Sequence, residues 1–160
     1  MNEQQAGAML AFLEQYSAFL KTMLENEKEK LTALLSNSLE RIEHSILTAQ
    51  ADAKQLESME QKRMSLQIKL GCPGYTLQQV AAATPISMRA RMDVLCSEVR
   101  EDVDEIRYHN DKSMNVARAN ITKLNPDSDL AKPKAEHGTE NPYARANHVA
   151  DTTSILETKA

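Results

Sequence analysis

Between Ala8 and Leu70 the sequence contains neither glycine nor proline. These are the two residues that most strongly disfavour the interior of a helix, so this part of the chain can form long uninterrupted helices. Tryptophan is absent and aromatic residues form 4% of the sequence, which gives little support for a sheet-based core. The composition therefore predicts an all-α fold.

Two apolar stripes predict two long helices in this region. The first, with Glu27 as its polar exception, comprises Met9, Leu13, Tyr16, Leu20, Met23, Leu31 and Leu34. The second has a different heptad phase and comprises Leu35, Leu39, Ile42, Ile46, Ala49, Ala53 and Leu56. Spacings of three and four place each stripe on one helical face. Between them, Asn37 and Glu40 have the spacing of a capping box that would open a second helix. A hairpin is predicted, and a single helix over residues 3–70 with a local phase slip is the alternative.

Turn residues divide the next part of the chain. Gly71 is placed to end the second helix in the left-handed conformation, and Pro73 and Gly74 prevent its continuation. Thr76 with Gln79 predicts a short capped helix, and Thr84-Pro85 predicts the start of a third long helix. The predicted helices cover about 3–35, 38–70, 77–83 and 85–124. At 1.5 Å per residue the long helices can align over most of their lengths, so residues 1–124 are predicted to form an elongated antiparallel bundle of three long helices with a short fourth.

Residues 125–160 have a different character. Three prolines, Gly138 and a polar composition predict a flexible C-terminal tail. Its scattered apolar residues are typical of a linear element that orders on a partner; these are Tyr143, Val149, Ile155 and Leu156. A terminus that only aids solubility is the alternative. The tail could also fold back on its own bundle or dock on a second copy, which would produce self-association.

Charge and motifs argue against several functional classes. A net charge of −4 and a pI near 5.6 disfavour nucleic acid as a partner, because phosphate binding requires a basic face. No apolar run is long enough to cross a membrane and no signal-peptide pattern is present, so we expect a cytoplasmic protein without membrane insertion. Cys72 and Cys96 form no CxxC motif and are expected to be reduced thiols. No catalytic motif or Glu-x-x-His pair is present, so neither an enzyme, a cofactor nor a metal is expected.

The third long helix carries the strongest candidate binding surface. Its apolar seam is interrupted by polar residues at Asp102, His109, Ser113 and Asn120. In one interpretation the helix extends past its partners, or rotates so that Val103, Asn110, Met114, Ala117 and Ile121 face inward. In the other, this half is a partly exposed groove for an apolar helix of a partner. The candidate partner-binding residues are Val103, Ile106, Asn110, Met114 and Ile121 of the helix and Tyr143, Val149, Ile155 and Leu156 of the tail.

Several segments, taken in this order, resemble the FlgN family of flagellar type III export chaperones. The resemblance rests on residues 29–40, on Glu60-Gln61-Lys62-Arg63 with Leu66 and Leu70-Gly71, on Gly74-Tyr75-Thr76-Leu77, on Glu105-Ile106-Arg107-Tyr108-His109-Asn110, and on Tyr143 followed by residues 154–160. The family usually places glycine soon after that tyrosine, where this chain has residues 144–147, Ala-Arg-Ala-Asn.

The resemblance implies a soluble chaperone that binds the hook-filament junction proteins FlgK and FlgL, prevents their premature assembly and delivers them to the flagellar export gate. A helical adaptor or coiled-coil scaffold for another protein partner is the alternative function.

Overall fold

The computed structural model describes residues 1–124. These residues form four α-helices: α1 (Glu3–Ser36), α2 (Leu39–Lys69), α3 (Leu77–Ala82) and α4 (Ile86–Leu124). Three are long and one is short, and the described part of the chain contains no strand. The predicted all-α fold with three long helices is therefore confirmed. The predicted tail at 125–160 lies outside the described residues.

Side-chain contacts show the directions of the long helices. At one end, Ser87 Oγ donates a hydrogen bond to Glu3 Oε1 over 2.9 Å, and at the other, Asn120 Nδ2 donates to the Leu34 carbonyl over 3.4 Å. Helix α4 therefore runs parallel to α1. Helix α2 returns antiparallel to both, which gives an up-down-up bundle with α1 packed against α2 and α4, and with α3 packed against α4.

Asn37 makes the turn between α1 and α2. Its φ of 54° and ψ of 21° place it in the left-handed region, where it ends α1. Ser38 precedes α2 and makes no side-chain capping bond. The predicted hairpin is thus confirmed over the single continuous helix, but the predicted capping box of Asn37 and Glu40 is wrong. Asn37 closes the preceding helix because asparagine tolerates a positive φ better than most residues.

We expect Asn37→Val to lower the free energy of unfolding by about 1–2 kcal/mol, because a β-branched side chain is strained in the left-handed conformation. Asn37→Gly is the matched control and should leave stability unchanged or slightly raised, because glycine adopts this conformation without strain. Urea unfolding followed by circular dichroism measures both variants. Equal stabilities of the two would contradict the assigned role.

The end of α2 follows the sequence signals closely. Gly71 has a φ of 73°, and its amide donates to the Ile68 carbonyl while the Cys72 amide donates to the Gln67 carbonyl. This pair of bonds is a Schellman motif, so the predicted glycine C-cap is confirmed. The predicted capping box that opens α3, formed by Thr76 and Gln79, is also present.

The start of α4 differs from the prediction in one detail. Thr84 was expected to cap this helix, but its hydroxyl donates to the Val80 carbonyl over 2.8 Å. The helix begins at Ile86, directly after Pro85. Thr84 bonds back into α3 because a threonine hydroxyl readily reaches the carbonyl four residues earlier.

The buried face of α2 matches the predicted stripe in part. Ala49 and Leu56 of that stripe are buried and Ala53 packs against the core, whereas Leu35, Leu39 and Ile46 are exposed. The buried face also contains polar residues that the apolar pattern did not predict; its members are Ser45, Ala49, Asp52, Leu56, Met59, Glu60, Arg63 and Gln67. Some of these make hydrogen bonds to α1, including Asn26 Nδ2 to Asp52 Oδ2 over 2.9 Å. Polar pairing therefore extends the buried face of α2 beyond what the apolar periodicity indicates.

A buried polar chain joins α1, α2 and the loop before α3. The Tyr16 hydroxyl donates to Glu60 Oε1 over 2.8 Å, and Arg63 Nε donates to Glu60 Oε2 over 2.9 Å. Arg63 Nη1 then donates to Gln67 Oε1 over 2.8 Å, and Gln67 Nε2 in turn donates to the Tyr75 carbonyl over 2.8 Å. Arg63 is 0% exposed. Burial of a charge requires such complete pairing. This series of hydrogen bonds therefore fixes the relative positions of α1, α2 and the loop before α3.

Candidate functional site

A groove opens between α2 and α4, above α1, toward the end of the bundle where the α1–α2 turn lies. Its volume is about 420 Å³, and we call it the three-helix groove; its lining residues are Lys30, Leu34, Ser45, Ile46, Ala49, Gln50, Asn110, Ser113, Met114 and Ala117. Helices α2 and α4 both pack on α1, but among the described residues no Cα atom of α2 lies within 8 Å of one in α4. Small side chains on the facing walls leave this space unfilled, notably Ser45, Ala49, Ser113 and Ala117.

The floor of the groove carries a charged pair from α1. Lys30 Nζ lies 2.7 Å from Glu27 Oε2 and donates to Asn110 Oδ1 over 3.1 Å. The Glu27 side chain is buried and that of Lys30 nearly so. Asn110 of α4 is thereby tied to α1. The pair holds α4 against α1 beneath the groove and leaves the apolar walls to face a ligand.

Ser113 adds a polar group that the bundle leaves unsatisfied. It is 2% exposed, and its Oγ is buried with no hydrogen-bond partner among the described residues. A hydroxyl buried without a hydrogen-bond partner lowers the stability of the folded protein by about 1–3 kcal/mol. Ser113 lines the groove, but its Oγ is itself buried, so a docked segment reaches this hydroxyl only if the side chain changes rotamer. The groove thus favours a ligand with an apolar face.

The predicted α4 residues fall into two groups. Val103 and Ile106 belong to the hydrophobic core and do not line the groove. Asn110 and Met114 line it, and Ile121 is partly buried farther along α4. The inward rotation is observed, because Val103 and Asn110 are buried and Met114, Ala117 and Ile121 are partly buried. The same face forms one wall of the groove, and its binding to a partner helix stays a prediction. Tyr143, Val149, Ile155 and Leu156 lie outside the described residues.

Sequence reasoning missed the second wall and the floor. Ser45, Ile46, Ala49 and Gln50 come from α2, and Lys30 comes from α1. Ile46 and Ala49 were already part of the predicted stripe, and Ser45 lies four residues before Ala49 on the same helical face. Ser45 did not stand out because it is polar and the stripe was drawn from apolar residues.

Four large apolar side chains at the end of α1 and the start of α2 are exposed, and we call these four residues the ridge. Leu35 is 62% exposed, Leu39 70% and Leu47 65%, and Ile46 belongs to both the ridge and the groove. Single exposed leucines are common on protein surfaces, whereas clusters of them are typical of interaction sites. Ile46 is the residue that the ridge shares with the groove.

A second depression lies between α3 and α4 and has a volume of about 430 Å³. Arg89 lines it but donates to the Ala82 and Thr84 carbonyls, and the Cys96 thiol lies 3.7 Å from the Leu77 carbonyl. These groups hold α3 on α4. In residues 1–124, no cluster of three His, Cys, Asp or Glu side chains is arranged to bind a metal, and no helix has the length and apolar character of a membrane span.

We expect Cys72 and Cys96 to resist thiol reagents in the folded protein. Both are buried, and burial together with the nearby Asp93 carboxylate raises the pKa of Cys96 to about 12. Against a usual thiol pKa near 8.5, this leaves about a thousandfold less thiolate at pH 8. Labelling of Cys96 should therefore be slower than in denaturing urea by on the order of 100-fold or more. Burial also raises the pKa of Cys72, so its labelling should be slowed as well. Ser97→Cys, exposed on the same helix, is the control and should label at once. Rapid native labelling of two thiols in the unmodified chain would contradict this expectation.

Comparison with protein-family models, curated proteins and solved structures finds no match to this chain.

Proposed function

We propose that this chain is a cytoplasmic chaperone of the flagellar type III export system, of the FlgN type, which binds the junction proteins FlgK and FlgL and delivers them to the export apparatus. The proposal combines the resemblance of residues 29–40 and 105–110 to that family with one structural observation. That observation is the three-helix groove, an apolar trough left open between two helices that share a third.

The shape of the groove supports a helix as its ligand. Two helix walls and a helix floor are the surroundings that a fourth helix meets in a four-helix bundle. Ile46 of α2 and Met114 of α4 both line the groove. Methionine side chains adapt to differing ligand shapes, which suits a chaperone with two related substrates. A helix with apolar residues at spacings of three and four would fill the space.

Burying the apolar face of a substrate helix in the groove would prevent that substrate from assembling prematurely. The family resemblance implies junction proteins whose terminal helices carry an apolar face that assembles only in the growing filament. Such a face associates prematurely when it is left exposed in the cytoplasm. The groove would bury that face until export. A single groove with an adjoining ridge is a small interface, of the size at which transient complexes are found. Release at the export gate would then not require an irreversible step.

Binding to purified FlgK and FlgL, measured by isothermal titration calorimetry, tests the proposal. We expect both proteins to bind, and forms that lack their terminal helices to bind not at all. Flagellin is the specificity control and is expected to bind much more weakly. Absence of binding to both junction proteins would reject the chaperone proposal.

A helical adaptor for another protein is the second candidate, and the ridge of Leu35, Leu39 and Leu47 is the observation that favours it. If the protein is an adaptor that binds through the ridge, the substitutions Leu39→Lys and Leu47→Lys should abolish partner binding. A substitution in the groove alone should leave partner binding unchanged. Comparing the two kinds of variant for any bound partner separates the two candidates.

A further inference from the structure

Two arginines of α4 line the depression between α3 and α4. Arg89 and Arg100 lie about three helical turns apart, so their side chains leave the same face of the helix and their Cα atoms are roughly 16 Å apart along its axis. They are the first and the last residues that α4 contributes to the lining. The α4 side of the depression therefore has a guanidinium group at each end.

Arg100 has no partner in the bundle. Its Nε is buried without a hydrogen-bond partner, and no residue in 1–124 forms an ion pair with its guanidinium. Nη1 and Nη2 are not enclosed in this way, and the side chain lines the depression. A charged group that has lost part of its water without gaining an acceptor is stabilised by a ligand that supplies one. Arg100 is therefore a cationic donor that an incoming acceptor can pair.

Arg89 is anchored through one of its nitrogens. Its Nη2 donates to the Ala82 carbonyl over 3.0 Å and to the Thr84 carbonyl over 3.1 Å. A guanidinium group has five N–H donors, so these two bonds leave others for a ligand. Because the bonds hold the group in place, less side-chain entropy is lost when it binds an anion. Arg89 is thus a pre-oriented second donor.

The remaining charge of the lining determines which anion fits. Among the described lining residues, Asp93 is the one acidic residue, and it lies between the two arginines along α4. Two arginines and one aspartate leave a formal charge of +1, whereas the whole chain carries −4. The positive charge is at the two ends and the negative charge lies between them. A ligand with two carboxylates separated by a neutral portion complements this order better than one compact anion.

We propose that the depression between α3 and α4 binds an acidic peptide segment, with Arg89 and Arg100 each pairing with one carboxylate. In an extended peptide, side chains four residues apart point the same way and lie about 13 Å apart. The flexible arginine and glutamate side chains bridge the remaining few ångströms, and arginine pairs with a carboxylate through two parallel hydrogen bonds. The lining shares no residue with the three-helix groove, so this site is separate from the one proposed for the junction proteins.

Fluorescence anisotropy with fluorescein-labelled hexaglutamate tests the proposal on the full chain. This peptide contains pairs of glutamates four residues apart. We expect a dissociation constant below about 1 mM at low salt, and no binding of labelled hexaglutamine at the same concentrations. Because the chain is itself acidic, attraction of a polyanion requires a local basic site. Absence of hexaglutamate binding would overturn the proposal.

A matched pair of arginine substitutions locates the site. Arg100→Gln should weaken hexaglutamate binding about tenfold, the effect of one charge-assisted pair. Arg91→Gln changes the net charge equally on the same helix, but Arg91 is exposed, pairs with Glu14 and lies outside the depression. It should leave the affinity nearly unchanged, and circular dichroism should show both variants folded. Equal losses for the two would show that only overall charge matters and would overturn the proposal.

Removing the central carboxylate should have the opposite effect. Asp93→Asn is expected to strengthen hexaglutamate binding about threefold, because it removes a like charge between the two pairing positions. Asp104→Asn, at an exposed position of α4 outside the depression, is the control for net charge. A purely structural role of the arginines would not produce this gain. Equal gains for the two variants would overturn the assigned position of the peptide.

Competition with inorganic phosphate separates a two-carboxylate ligand from a single compact anion. Unlabelled hexaglutamate should displace the labelled peptide far more effectively than phosphate at the same concentration, because phosphate reaches one arginine at a time. Equal displacement by phosphate would show a site for one compact anion and would overturn the proposal. No junction protein is present in these samples, so the result is independent of FlgK and FlgL binding.

Discussion

Replacing Arg63 with methionine is expected to lower the free energy of unfolding by about 3–5 kcal/mol. Arg63 is 0% exposed, and its guanidinium pairs with the Glu60 carboxylate over 2.9 Å. Methionine retains much of the side-chain volume but removes the charge, so Glu60 would remain as a buried carboxylate without its cation. Desolvation of an unpaired charge is the dominant cost. Urea unfolding followed by circular dichroism measures the effect.

A double-mutant cycle separates the pairing from the packing. Glu60→Met should also be strongly destabilising, because it leaves the Arg63 charge without its carboxylate. The double variant should lose less stability than the sum of the two single variants, since neither charge then remains buried. Arg41→Met is the control, because its pair with Glu29 is exposed and worth at most about 1 kcal/mol. Additive effects at positions 60 and 63 would show that the buried pair does not act as a unit.

Introducing a charge into the groove by Ala117→Glu is expected to weaken FlgK and FlgL binding at least about 100-fold. The glutamate would lie in the groove with Leu34, Ile46 and Met114, where a docked helix would bury it. Lys30 also lines the groove, but its ammonium already pairs with Glu27. A penalty of about 3 kcal/mol, modest for a buried unpaired charge, corresponds to that loss. Glutamate is a good helix former, so α4 itself should remain intact.

Asn115→Glu is the matched control for this variant. It lies on the same helix, introduces the same side chain and changes the net charge equally, but position 115 is exposed outside the groove. Calorimetry should show unchanged affinity for this variant, and circular dichroism should show unchanged helicity for both. Binding that survives Ala117→Glu would place the junction proteins elsewhere on the chain, with the ridge and the residues beyond Leu124 as the remaining surfaces.

The local sequence determined the helical architecture. The absence of glycine and proline between Ala8 and Leu70 predicted the long helices, and Gly71 with the Thr76–Gln79 capping box predicted the breaks after them. Such signals act between residues at most a few positions apart, so no knowledge of the fold was required. The hairpin at residues 36–38 was also found, although the role of Asn37 within it was assigned to the wrong helix.

Only the tertiary structure decided which polar residues of α2 are buried and, with them, the site. Tyr16 and Glu60 are 44 residues apart in sequence, and no local periodicity indicates that they pair. Their hydrogen bond, together with that of Asn26 to Asp52, holds polar positions of α2 against α1, while Leu39 and Ile46 are exposed. The groove lies where four small side chains, Ser45 and Ala49 of α2 and Ser113 and Ala117 of α4, line the space between the two helices. A sequence specifies its helices through neighbouring residues, whereas the space between helices depends on which distant side chains meet.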